Sequence, residues 1–357
     1  MKNIKKIVIT GCSNSERTQS IQAIAEYFTE KKFRVIIVDE IQEELTKLGI
    51  INTNNAVYQS FYIKELQFKE SMAKAAAITF DEDNILIICN KGLMDCAAAM
   101  NEQEFLSVCK GLKTNIVELR DDYDAVFHMT AMEKSASFTD CFGNVIPMYE
   151  QDRESVYDDD RTLSCWTGHK HLRLITPSQN TETRNQKLIR EIEAIFIDIE
   201  IERAYLTERP TDKLLNVLPF CHAVDIEQCY IKTNKQQFRI RKRGESGFYK
   251  YYITQKSDIS SIRRSEYEQE ITADDYELYK QSAYSKLSKT RYYLCVNDKY
   301  FELDIYPFSD IYARLEIELI SEEDEFDLPP FLICHKEVTG EYEYSNKHIA
   351  ETKQLTL

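Results

Sequence analysis

The chain has 357 residues, 43% of them apolar and 29% charged, which fits a globular protein of about two domains. Lys and Arg total 45 against 60 Asp and Glu, a formal net charge of -15. This excludes bare nucleic acid as the main partner, although a local basic groove stays compatible with it. The nine glycines are about 2.5% of the chain, against an average near 7%, which counts against a glycine-rich phosphate loop. Ten cysteines show no C-x-x-C spacing and Met1 runs straight into an apolar strand, so reduced thiols and a cytoplasmic location are expected. His169 and His171 have no cysteine pair beside them and are not expected to hold zinc. No apolar run approaches about 18 residues, so no membrane span is expected.

The first half predicts α/β structure. Short apolar strands are expected at Ile4–Thr10, Arg34–Val38, Asn84–Cys89 and Asp124–Met129, with helices over residues 17–31, 60–77 and 93–109 between them. Apolar strands alternating with helices indicate a parallel sheet covered on both faces, with ligands at the carboxyl ends of its strands. The first strand-to-helix turn is Gly11-Cys-Ser-Asn-Ser-Glu-Arg17-Thr18. It stands where a P-loop reads G-x-x-x-x-G-K-[ST]. Glu16 replaces the second glycine, Arg17 replaces the lysine, and Thr18 keeps the hydroxyl. A carboxylate beside a triphosphate is repelled, so Gly11, Arg17 and Thr18 read either as a degenerate nucleotide loop or as a Ser/Asn-rich turn capping a helix.

Further pieces extend this likeness. Arg34-Val-Ile-Ile-Val-Asp-Glu40, Asn90-Lys-Gly-Leu-Met-Asp95, Asp122–His128 and Trp166-Thr-Gly-His169 resemble the P-loop domain of nicotinamide-riboside-type kinases and small AAA-like ATPases. Asn90 stands where that family has an Mg²⁺-binding aspartate, and an acidic run interrupts the lid segment Glu150–Arg161. The resemblance implies a domain over 1–178 that keeps its fold and has lost phosphoryl transfer. Trp166 and His169 are expected to pack against a lid.

From about Ile195 the texture changes to short strands in which charges recur at every second residue, on one face of each strand. These are Glu200 and Glu202; Arg239, Arg241 and Arg243; Lys256; Glu266, Glu268 and Glu270; Lys289 and Arg291; Glu302 and Asp304; and Glu316 and Glu318. A solvated sheet face is the ordinary origin of any one such strand. Seven of them, sorted into acidic and basic strands, point instead to an antiparallel barrel with charge inside. Buried charges of both signs suit an anionic ligand carrying hard cations.

The order of segments resembles the CYTH family of triphosphate tunnel enzymes over about 196–352, with a domain at 195–357. The matching pieces are Glu200-Ile-Glu202-Arg-Ala204, Arg239-Ile-Arg241, Tyr252–Lys256, Arg264-Ser-Glu266-Tyr-Glu268, Lys289-Thr-Arg291-Tyr, Glu302-Leu-Asp304 and Leu315-Glu-Ile-Glu318. Glu337–Gly340 and Tyr344–Asn346 match its closing segment. The resemblance implies that Arg239, Arg241, Lys256, Lys289 and Arg291 grip phosphate and that Glu200, Glu202, Glu316 and Glu318 hold Mg²⁺ or Mn²⁺. Glu268, Asp304 and Lys289 would serve catalysis. The implied reaction is metal-dependent hydrolysis of tripolyphosphate or a nucleoside triphosphate. The alternatives are a catalytically weak nucleotide- or phosphoinositide-binding regulator and a CYTH-type adenylate cyclase. Ala204 departs from the family's third motif position, a lysine. Arg203 points to the opposite face, which leaves Lys256 and Lys289 to substitute. Leu214–Phe220 is expected to plug one barrel end, and the 22 tyrosines to pack outside it.

Overall fold

The computed structural model describes residues 2–52, 55–130, 153–176, 181–197, 199–232, 237–258 and 263–357. The chain forms two compact units, Met1–Phe196 and Ile197–Leu357. No helix among the described residues is long and apolar enough to cross a membrane.

The first unit contains β1 (Asn3–Gly11), β2 (Arg34–Val38), β3 (Asn84–Asn90), β4 (Ala125–Met129) and β5 (Leu172–Ile175). They form one sheet in the order β2-β3-β1-β4-β5, with every neighbouring pair parallel. Ile7, Ile9, Leu86, Ile88 and Phe127 are fully buried and pack with Ile21, Ile24 and Phe28 of the helix Asn14–Glu30 and with Leu188 and Ile192. Their apolar runs require this covering, because both faces of a parallel sheet are buried. The four expected strands are present, and the four-residue β5 extends the sheet beyond them.

The second unit contains β6 (Ile199–Glu208), β7 (Cys221–Lys232), β8 (Gln237–Glu245), β9 (Phe248–Asp258), β10 (Arg263–Ile271), β11 (Ala283–Val296), β12 (Lys299–Ile305), β13 (Tyr312–Leu319) and β14 (Cys334–Glu337). They form a nine-stranded antiparallel sheet in the order β10-β9-β8-β7-β11-β12-β13-β6-β14. β10 also meets β6, where Arg263, Arg264 and Ser265 stand opposite Ile201, Glu200 and Ile199.

One face of β11–β12–β13 is apolar. Leu294, Phe301, Leu303, Ile305, Ala313, Leu315 and Ile317 are buried there beneath Leu215, Phe326, Phe331 and Leu332. Two expectations are corrected at this point. The Leu214–Phe220 segment is helical only as part of Asp212–Leu215, and Leu215 and Leu218 join this apolar layer instead of plugging an end. The other face of the sheet also carries tyrosines. Tyr252, Tyr293, Tyr300 and Tyr306 share the register of the charged residues and are buried.

Candidate functional site

Residues directly opposite in an antiparallel ladder project to the same side. The register can therefore be followed from strand to strand. Glu202 stands opposite Glu318, and Ala204 opposite Glu316. Glu316 faces Glu302, and Arg314 faces Asp304. Asp304 faces Arg291. Across β7, Lys289 faces Ile226, which faces Arg243, while Gln228 faces Arg241. Arg239 faces Thr254, and Thr254 faces Glu268. Lys256 faces Glu266, and Arg264 faces Glu200. All the charged residues singled out by alternation thus belong to a single face of the sheet. β7 contributes to it Val224, Ile226, Gln228 and Tyr230 in these rows, all uncharged, which explains why no charge pattern announced that strand.

The centre of the face is a buried ion network. Arg291 donates through Nε and Nη2 to the two carboxylate oxygens of Asp304, at 2.7 and 2.8 Å. Its Nη2 also donates to Glu316 at 2.6 Å, and its Nη1 pairs with Glu302. Lys289 pairs with Asp304 and donates to Asn346 Oδ1 at 3.2 Å. Glu316 is held from its other side by Arg314. Asp304 is fully buried, and Lys289, Arg314, Glu316, Arg291 and Glu302 are all buried as well. A planar guanidinium fork suits several carboxylates at once, which is why an arginine occupies this position.

These contacts set the ionisation of the group. Burial opposes the charged form of Glu316, but Arg314 and Arg291 hold its carboxyl well below the usual range. Burial likewise opposes ionised Asp304, and Arg291 and Lys289 keep it low. Glu302 goes the other way. Burial, together with Glu318, Glu316 and Asp304 nearby, outweighs Arg291 and pushes it up to about 7. Lys289 is pushed down to about 7 by burial and by the Arg291 charge, against the pull of Asp304 and Glu316.

A second cluster lies on β8–β10. Thr254 Oγ1 donates to Glu268 at 3.1 Å and accepts from Arg239 at 3.2 Å. Glu268 also lies 3.6 Å from Arg241 and 3.8 Å from Arg239. At this distance the carboxylate orients the two guanidinium groups. Arg243, which is buried, donates to the Tyr293 hydroxyl at 3.3 Å, and Tyr293 stacks on Tyr300. The side chains of Lys256 and Glu266 lie outside the described residues.

One end of the charged face is apolar. Ala204, Leu206, Leu287 and Tyr306 pack with Val338, Ile349, Ala350 and Leu355 from the C-terminal segment. The helix Asn346–Thr352 opens with Asn346, whose Oδ1 accepts from both Lys289 and Tyr306. The resemblance picked out Tyr344–Asn346 as a closing segment, but nothing local in the sequence marks the helix that follows as a cover of the site.

The acidic set is only partly suited to metal. Glu316 is committed to two guanidinium groups, and Glu200 stands opposite Arg264. Glu202 and Glu318 face each other across β6–β13 as hard oxygen donors. Among the described residues, no three His, Cys, Asp or Glu side chains gather as a metal-holding group.

In the first unit, the turn after β1 is shorter than a phosphate cradle. Gly11 and Cys12 have φ of 74° and 41°, and the helix starts at Asn14, capped by Ser13. Glu16 closes a capping box with Ser13, which gives it a structural task where a P-loop has glycine. Arg17 is buried: it donates to Asn90 at 2.6 Å and to the Gly11 carbonyl at 2.9 Å, and pairs with Glu40 at 2.6 Å. Lys91 pairs with the same Glu40 at 2.8 Å. The side chain in the position of a phosphate-binding lysine is therefore turned inward and neutralised. Thr18 Oγ1 donates to Asn14 at 3.3 Å. Asp95 accepts from Gly92 N–H at 2.8 Å and from buried Trp166 at 3.1 Å, and His169 lies 3.0 Å from the Tyr123 carbonyl, so both aromatic residues serve packing. The lid segment Glu150–Arg161 lies partly outside the described residues.

Titration of the full chain with Mg²⁺·ATP is expected to show no micromolar heat that depends on Thr18. Micromolar affinity abolished by Thr18→Ala would contradict it. Arg17→Met is expected to destabilise the unit by about 1–3 kcal/mol, because it leaves buried Asn90 without its donor and removes one of the two cations on half-buried Glu40.

No family model and no curated protein matches the chain. Solved structures do. The inorganic triphosphatase NE1496 is 30% identical over 42% of this chain and 97% of that one, with a TM-score of 0.30. The PH1012 protein of Pyrococcus horikoshii OT3 is 21% identical over 33% of this chain and 77% of its own, with a TM-score of 0.25. HpAC1 from Hippeastrum, a putative adenylyl cyclase described as having a dominant triphosphatase activity, is 14% identical over 34% of this chain and 81% of its own, with a TM-score of 0.24. The relatedness to CYTH-type triphosphate tunnel proteins is distant and partial, at 14–30% identity.

Proposed function

We propose that the second unit binds a linear triphosphate, as tripolyphosphate or a nucleoside triphosphate, and hydrolyses its terminal phosphoryl group with the help of Mg²⁺ or Mn²⁺. In this reading the sheet of the second unit is rolled, through its β10–β6 pairing, so that its charged face lines a tunnel. The observation that carries the proposal is the register that brings Arg239, Arg241, Lys289, Arg291, Glu202, Glu302, Glu316 and Glu318 to one face. Cations of that face have the donor geometry for phosphoryl oxygens.

Arg239 and Arg241, oriented by Glu268, would hold the phosphate chain, with Lys256 next to them in register. Arg291 would keep Asp304, Glu302 and Glu316 fixed. A divalent cation bound together with phosphate needs only one or two protein carboxylates, the rest of its shell coming from phosphate and water. Glu202 and Glu318 are the pair that fits this demand, and the cation would supply Lewis-acid polarisation of the phosphoryl oxygens. In the hydrolytic step the oxygen of water bonds to the terminal phosphorus and the bridging P–O bond breaks. The neutral amine of Lys289 takes the proton, a task suited to a group titrating near neutrality.

Purified protein should release orthophosphate from tripolyphosphate in Mg²⁺ or Mn²⁺ and stop when EDTA is in excess. Tight binding without any release would favour the second reading, a sensor that retains the phosphate grip. The absence of a cation at Ala204 is the observation behind that reading, since one missing preorganised donor costs about 10²–10³ in rate.

A further inference from the structure

Ala204 leaves β6 without a cation at this row, and the register places Arg314 of β13 diagonally across from it. Ala204 is buried on β6, between Glu202 and Leu206 and directly opposite Glu316 on β13. Arg314 lies on the same face two residues before Glu316, opposite Leu206 on one side and Asp304 on the other. It is 4% exposed and pairs with Glu316 through Nη1. Its Nε has no hydrogen-bond partner among the described residues. Its charge also feels Glu202, the residue on the far side of Ala204, as well as Tyr306. Arg314 thus stands diagonally across from Ala204 in the ladder, two residues along the same face from Glu316.

Of the candidates named from sequence, the Lys256 side chain lies outside the described residues and the others are engaged elsewhere. Arg203 is on the other face and pairs with Glu337 at 3.0 Å. Lys289 is committed to Asp304 and Asn346. A buried arginine with an unsatisfied donor is costly unless something completes its hydrogen bonds. An anionic phosphoryl oxygen would do so, and a longer residue at 204 would compete for the same volume.

We propose that Arg314 is a phosphate-contacting residue that supplies, from β13, the cation missing at Ala204 on β6, so that the small residue and the arginine form one functional exchange. This rests on the triphosphate reading of the same face. It adds that the site has moved a positive charge between strands without losing it.

The test is a double-mutant cycle in the full chain, with tripolyphosphate and Mn²⁺ or Mg²⁺, following phosphate release and equilibrium binding. Arg314→Met should lower kcat/KM, or the binding constant if release is absent, by 10- to 100-fold. Ala204→Lys alone should give no gain, because two cations then contend for one space. Ala204→Lys combined with Arg314→Met should recover most of the loss, which a merely structural role for Arg314 would not allow. Arg314→Lys, with unfolding midpoints for every variant, separates loss of charge from loss of fold and should retain most of the function. A folded Arg314→Met within twofold of the wild type overturns the inference, as does failure of Ala204→Lys to rescue it. A wild-type protein that neither binds nor hydrolyses tripolyphosphate overturns the triphosphate reading itself, and Arg314 falls with it.

Discussion

Arg291→Met is expected to lower the stability of the second unit by about 3–5 kcal/mol, the cost of leaving buried carboxylates without their cation. For a unit of this size that corresponds to a fall on the order of 10 °C in its unfolding midpoint. The reason is the number of dependents. Asp304 is held at both oxygens, while Glu302 and Glu316 each contribute one contact to the same fork. Methionine keeps much of the volume and removes the charge, so packing changes little. The deficit should depend on pH in a defined direction. Arg291 depresses the folded-state pKa of Asp304, against the effect of burial. The stability it confers is therefore fully present above the unfolded carboxylate range near pH 4 and is lost as pH falls through the lower folded value. Urea unfolding of wild type and variant at pH 7 and at the lowest pH where both fold should show the gap narrowing. An equal gap at both pH values would rule out the electrostatic explanation.

The second large effect concerns Lys289. Lys289→Met should reduce phosphate release by about 10²–10⁴, the usual contribution of a positioned proton acceptor. In the wild type the rate should climb with pH through about 7, where burial and Arg291 place the titration of this amine. A flat profile between pH 6 and 8, or a variant that keeps the same limb, would remove Lys289 from that role. The same shift has a stability signature. The unfolded lysine, with its ordinary pKa near 10.5, binds a proton between pH 7 and 10.5 where the folded one does not. Protonation in that window favours unfolding, so this group makes stability rise with pH there. Lys289→Met should flatten that part of the stability curve, which would be visible in thermal melts even without turnover.

The legible part of this molecule is the part governed by local periodicity. Alternation alone placed Arg239, Arg241, Glu200, Glu202, Lys289, Arg291, Glu316 and Glu318 on particular strand faces, because a period of two needs no knowledge of partners. Partner choice was illegible. Arg291 contacts Glu316 on a strand two places along the sheet, and the commitment of Glu316 to two arginines followed only from strand order. Arg314 escaped notice because its sign differs from that of Glu316 and Glu318, with which it alternates on an otherwise acidic strand. β7 was missed since its residues on that face include Val224, Ile226, Gln228 and Tyr230, which carry no charge alternation. In the first unit the strand–turn–helix order was readable, but the conformation of the turn was not. Ser13 and Glu16 form a capping box that starts the helix at Asn14 and turns the segment away from a cradle.

The helix Asn346–Thr352 gives the extreme C-terminal stretch an influence out of proportion to its length. Asn346 joins Lys289 and Tyr306, while Ile349 and Leu355 seal the apolar end beside them. Substitutions along this helix would therefore loosen the shell around Lys289 from a distance in sequence of more than fifty residues.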